Sequence, residues 1–80
     1  MEYGIIDETA LSLKYPRPVD AVRPTLEEAL DLAVSWIKES AEEVSVTRAR
    51  YSKRSGCMVE DSKYGCITID ASNVKEQFFG

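Results

Sequence analysis

Histidine does not occur in this 80-residue chain, so the side chain most often used as a general base near neutral pH is missing. Only two cysteines are present, Cys57 and Cys66. They are too far apart for a C-x-x-C redox or zinc pair, and without histidine or further thiols one chain cannot complete a tetrahedral zinc site. Neither thiol has an activating partner in sequence, and no phosphate-cradling nucleotide loop occurs. No apolar run approaches the roughly 18 residues that a membrane span needs, and Met1-Glu2-Tyr3-Gly4 is not a basic lead into a signal core. These absences predict a cytoplasmic, non-enzymatic protein with no catalytic residue, no metal, no cofactor and no membrane partner.

What is present predicts one domain over residues 1–80. At that length roughly 60–65% of the unfolded chain's surface can be buried, enough for one modest core. Apolar residues make up 44% and charged residues 30%, an ordinary globular balance. The net charge of −4 is unevenly spread. Residues 1–47 are strongly acidic, whereas Arg48, Arg50, Lys53 and Arg54 follow one another with no acid between them. An acidic body with one basic knob favours a protein partner over direct contact with nucleic acid.

The longest periodic stretch is Thr25 to Ala41, TLEEALDLAVSWIKESA. Thr25 and Glu28 have the spacing of a capping box, and Pro24 resists continuing a helix backwards. Leu26, Ala29, Leu30, Ala33, Val34, Trp36, Ile37 and Ala41 recur at helical steps, with Glu27, Glu28, Asp31, Ser35, Lys38 and Glu39 opposite them. An amphipathic helix follows.

Around that helix the pattern is extended. Thr9, Leu11, Leu13 and Tyr15 alternate with polar or small residues, which predicts a first strand ending near Tyr15; Tyr3, Ile5 and Ile6 suit an earlier short strand or pairing arm. Pro16 to Pro24, with its three prolines, reads as a stiff crossover into the helix rather than a proline-rich ligand. After the helix, Val44, Val46, Arg48 and Arg50 share one strand face, and Ser45, Thr47, Ala49 and Tyr51 the other. If Val44 and Val46 pack under the helix, the two arginines must lie beyond its edge or after a bulge, since unpaired guanidiniums do not sit in a core. The turn Ser52–Gly56, a strand Cys57–Glu60, a second turn Asp61–Gly65 and a strand Cys66–Asp70, with Ile67 and Ile69 inward, complete a three-stranded meander. A hairpin turning near Asp61 would set Cys57 opposite Cys66, where a disulfide would add roughly 2–3 kcal/mol. With no export signal, two reduced, partly buried thiols are the preferred expectation. Asn73 to Phe79 stays open between a short capped helix and an extended tail, with Phe78 and Phe79 either docked or an aromatic anchor for a partner.

The expected fold class is α+β: one amphipathic helix packed on an antiparallel sheet, in the order β-α-β-β-β, with room for a short C-terminal helix. Two groups are candidates for partner binding. Arg48, Arg50, Tyr51, Lys53 and Arg54 form a basic turn with a low-entropy aromatic. Glu27, Glu28, Asp31 and Glu39 form an acidic helix face able to imitate a row of phosphates. The bland alternatives are a solubilising hairpin tip that blunts strand edges and a merely solvated helix face.

In architecture and charge, carried by TLEEALDLAVSWIKES and the following RARYSKRSG, the chain resembles the small phage- and mobile-element-encoded inhibitors of the anti-CRISPR type, which are single, acidic, cofactor-free α+β domains. The resemblance implies a protein that blocks a host nucleic-acid-binding complex. A small nucleic-acid-binding or regulatory domain using the basic hairpin, and an accessory subunit of an enzyme, are the alternatives.

Overall fold

Thr25 sets where the helix begins. In the computed structural model, which describes residues 2–8 and 16–72, Thr25 is extended and its Oγ1 accepts the Glu28 N–H at 3.2 Å. Helix α1 runs Leu26–Glu39, ending at Glu39 instead of Ala41. There the Ser40 and Ala41 N–H groups both donate to the Trp36 carbonyl, at 3.1 and 2.9 Å, and divert the chain. Ala29 and Ala33 are buried, and their small size lets the helix lie close against the sheet. Leu30, Leu32, Val34, Trp36 and Ile37 are half-buried around them. Leu26, assigned to the core by periodicity, is 37% exposed because it stands in the first turn, past the apolar floor.

The sheet has five antiparallel strands: β1 (Glu2–Asp7), β2 (Ala21–Arg23), β3 (Glu43–Ser52), β4 (Cys57–Glu60) and β5 (Cys66–Asp70). This is the expected α+β arrangement with one more short strand before the helix. β1 is the arm suggested by Tyr3, Ile5 and Ile6; the strand expected at Thr9 to Tyr15 lies outside the described residues. The core joins Ile5, Val44, Val46 and Ile69 to Ala29 and Ala33. Each of these branched side chains contributes on the order of 1.5–3 kcal/mol of burial.

β3 is the axis. One of its edges pairs with β1 along Val44 to Ala49, and the other pairs first with β5 and then with β4. The predicted meander is therefore corrected: β5 returns to β3 and does not pair with β4. Between the pairs Ala49–Glu60 and Thr47–Cys66, Arg48 faces an excursion of the returning chain, Asp61–Gly65. The Asp61 N–H donates to the Arg48 carbonyl at 2.8 Å as the excursion begins, and Thr47 Oγ1 donates to the Gly65 carbonyl at 3.0 Å as it ends. A single 3-10 turn, Ser62–Tyr64, fills it, and Gly65 takes the φ of 74° that closes it. The period-2 pattern on either side gave no sign of which neighbour β5 would choose.

The proline-rich crossover is part of the sheet. The Val19 N–H donates to the Met58 carbonyl at 3.2 Å and the Glu60 N–H to the Arg17 carbonyl at 2.9 Å, so Arg17–Val19 runs along the outer edge of β4. Three residues later the same stretch pairs as β2 with the outer edge of β1. The strands at this end thereby close on themselves. Arg17 locks the closure: its Nε donates to Glu60 Oε2 at 3.0 Å, and its guanidinium also pairs with Glu8. The Glu60 hydrogen bond, opposed by burial, raises the Arg17 pKa above its ordinary value.

Candidate interaction surface

Alternation along β3 decides which candidate residues meet. Val44 and Val46 lie under the helix and are buried; Arg48 comes next on the same face, beyond the helix edge, as their pattern required. Its guanidinium carbon sits 4.7 Å from the centroid of the Tyr64 ring and 5.8 Å from that of Tyr3. Tyr3 reaches it across the β1–β3 register, and Tyr64 is delivered by the excursion opposite Arg48. Each such contact contributes about 0.5–1 kcal/mol where water has access, and both help to hold the long Arg48 side chain in place. Arg23 is the cross-strand partner of Tyr3, so Arg23, Tyr3 and Arg48 form one row across the sheet, with the Arg23 guanidinium donating to the Val22 carbonyl at 2.7 Å.

This row ends in a groove of about 160 Å³ whose walls include Leu26, Val46, Arg48, Tyr64 and Ile67. Its rim is unusually apolar for a charged neighbourhood: Tyr64 is 57% exposed and Ile67 45%. Ile67 was expected inward and does share the helix face through its pairing with Val46. It stays open nevertheless, whereas Ile69 is buried in the core.

The other basic candidates are spread out. Arg50 is exposed on the face of Arg48, Tyr51 is 61% exposed on the reverse face, and Lys53 and Arg54 stand exposed in the turn. That turn is built by Ser52, whose carbonyl accepts the Gly56 N–H at 2.7 Å and whose hydroxyl accepts the Ser55 N–H at 3.1 Å. Tyr51 therefore faces away from Arg48 and Arg50. The acidic candidates also divide. Glu27, Glu28 and Asp31 are exposed in the first half of α1, while Glu39 lies roughly 12–18 Å further along the axis. There it borders a wider hollow of about 370 Å³ with Asp7, Asp20 and Trp36, where the Asp7 N–H donates to Asp20 Oδ2 at 2.8 Å. The C-terminal end of the helix dipole adds negative potential here. Glu39, Glu42 and Glu43 gather where α1 ends and β3 begins, while Arg48, Arg50, Lys53, Arg54 and Lys63 lie towards the far end of β3, in the company of Glu2, Glu60 and Asp61.

No family model matches the chain, and no curated protein or solved structure does. Its own geometry carries the argument. Among the described residues no group of thiols and carboxylates is placed to hold a metal ion, and no helix is long and apolar enough to cross a membrane. Leu26, Tyr3, Tyr64 and Ile67 were not singled out as site residues from the sequence. Leu26 and Ile67 carried the apolar periodicity of a core, and nothing local marks Tyr64 as the partner of Arg48. Phe78 and Phe79 lie outside the described residues.

Proposed function

We propose that this chain is a small non-enzymatic binding protein, of the inhibitor kind that blocks a nucleic-acid-binding complex, and that it acts by occupying a surface of its partner with the Arg48 groove. The observation that carries this reading is the guanidinium of Arg48 held between Tyr3 and Tyr64 at the mouth of a groove with an exposed aliphatic rim. Arginine and tyrosine dominate interface hot spots, and a side chain already fixed loses less entropy on binding. The net charge of −4 and the exposed Glu27, Glu28 and Asp31 favour approach to the basic surfaces that nucleic-acid-binding proteins carry.

Charge reversal tests this. With a photo-crosslinking residue at Leu26, the full chain should label a defined host protein. Arg48→Glu and Tyr64→Ala should each lower the yield on the order of tenfold. Reversal of Glu27, Glu28 and Asp31 to lysine should slow association while leaving the bound complex long-lived. If folded Arg48→Glu and Tyr64→Ala proteins label the same target as well as the parent, the groove is not the contact.

One observation favours a second reading, the alternation of Arg23, Tyr3, Arg48 and Tyr64 across the sheet. Spaced bases and aromatics of this kind suit phosphates and stacked bases of a single strand. Anisotropy of a labelled oligothymidylate at low salt separates the two. Binding that falls steeply with salt supports nucleic acid, and its absence at micromolar protein supports a protein partner.

A further inference from the structure

The groove opens beside a strand edge that pairs with no other strand among the described residues. Along β3 the backbone groups of Arg48 face the returning chain, since its carbonyl accepts the Asp61 N–H. By antiparallel alternation Val46 and Val44 bond Ile67 and Ile69, so the N–H and C=O of Cys66 and Thr68 turn outward. Both residues are exposed. The other outer strands are handled differently: the edge of β4 carries Arg17–Val19, and β2 is three residues long and runs into Pro24. β5 contains no lysine, proline or bulge, the usual devices against edge pairing, and it exposes Ile67.

Resting on the protein-binding reading above, we infer that the partner contributes an extended segment that adds to β5 as a further strand, alternating aliphatic and acidic side chains. On the helix face of such a strand, a residue beside Ile67 meets an apolar rim that continues to Leu26. A residue two positions along reaches the mouth formed by Arg48 and Tyr64, where the Arg48 guanidinium stands against the Tyr64 ring. An aliphatic side chain fits the first place and a carboxylate the second. Main-chain hydrogen bonds supply affinity in this mode and alternate side chains supply specificity. A second copy of the chain suits the edge less well. Asp70, the acid within β5, alternates onto the face opposite Ile67 and Ile69, so a β5–β5 pairing brings no carboxylate to the Arg48 mouth.

Random dodecapeptides displayed on phage and selected against the immobilised full chain provide the probe. Enriched peptides should alternate aliphatic and acidic residues at two-residue spacing. Their affinity should fall at least about tenfold on Arg48→Glu and on Ile67→Asp. Thr68→Pro, which deletes one outward N–H and keeps the bonds to β3, should do the same, with melting curves confirming that each variant folds. N-methylation of alternate peptide amides facing β5 should abolish binding, and methylation of the intervening amides should spare it. Selection without enrichment, or binding indifferent to N-methylation register, overturns strand addition. So does dimerisation of the chain that Ile67→Asp abolishes, or oligothymidylate binding that Arg48→Glu abolishes. Target labelling that still depends on Arg48 while strand addition fails leaves the groove as the contact and removes only this mode; labelling indifferent to Arg48 removes the broader reading.

Discussion

Gly4 and Val19 touch where no side chain can come between them. A β-carbon on Gly4 would lie 2.9 Å from Val19 Cβ, closer still to one Val19 methyl, and 3.2 Å from Ala49 Cβ. The stretch that closes the strands therefore lies directly on the β1 backbone. Gly4→Ala should destabilise by about 1–3 kcal/mol, because a branched side chain in a tight crossing has no rotamer in which to yield. For a domain of this size each 1 kcal/mol is roughly a 4–8 °C fall in melting temperature. Val19→Ala in the same chain should recover part of the loss, giving a coupling energy on the order of 1 kcal/mol. A Gly4→Ala protein that melts with the parent would mean that Arg17–Arg23 does not lie there.

Arg17 and Glu60 fasten the same closure. Glu60 is 7% exposed at its side chain and Arg17 25%. Arg17→Met keeps the packing of the stem and strips a nearly buried carboxylate of its cation, at an expected cost of about 1–3 kcal/mol. The pH dependence has a definite sign. A base whose folded-state pKa is raised, as the Glu60 hydrogen bond raises that of Arg17, contributes stability fully present below the unfolded-state value and lost only as pH climbs through the folded one. The stability difference between parent and Arg17→Met should therefore stay flat from about pH 7 to about pH 10, well below any arginine pKa. A difference that shrinks within that window in urea titrations contradicts the pairing.

Much of this architecture was legible because the signals were local. Thr25 and Glu28 mark the helix start, and the switch from Val44 and Val46 to Arg48 and Arg50 marks where β3 leaves the core. Pairing was not legible. Strand alternation states which face a residue takes and is silent about which neighbour it bonds, so β5 was assigned to β4 when it belongs to β3. Proline likewise reads as connection, and a single bridge at Pro18 with flanking bonds from Arg17 and Val19 leaves no periodic trace. The candidate site suffered from the same limit. Arg48 stood out as a base in an acidic chain, but its aromatic partners come from β1 and from an excursion whose register no composition reveals.

The cysteines follow from that register. Cys57 pairs with Ser52 and Cys66 with Thr47, which separates them by roughly 16 Å along β3, more than twice the reach of a disulfide. Both are free, with Cys57 half-buried and Cys66 exposed, so only the first fits the expectation of a partly buried thiol. Under native conditions an aromatic disulfide reagent should titrate Cys66 first and Cys57 more slowly. Mild copper-catalysed oxidation should give no intrachain bridge by mass spectrometry after digestion. An internal Cys57–Cys66 disulfide formed without unfolding would restore the hairpin pairing of β4 with β5.

Trp36 offers a test of the opposite end. Its ring packs against the core and also borders the hollow with Asp7, Asp20 and Glu39, so it is neither a fully buried core residue nor a free surface anchor. Trp36→Ala should cost about 2–3 kcal/mol, below the range for a wholly enclosed tryptophan, because part of the ring is already in water. The carboxylates around it make a sharper prediction. A cationic quencher such as caesium should reach the ring more effectively than iodide, and the ratio should fall towards one as salt screens the acidic end. Asp20→Asn with Glu39→Gln should reduce the same preference without altering the melting temperature by more than a few degrees, since both residues are exposed. Equal quenching by the two ions at low salt would place Trp36 away from those carboxylates, and α1 would then have to be turned on the sheet.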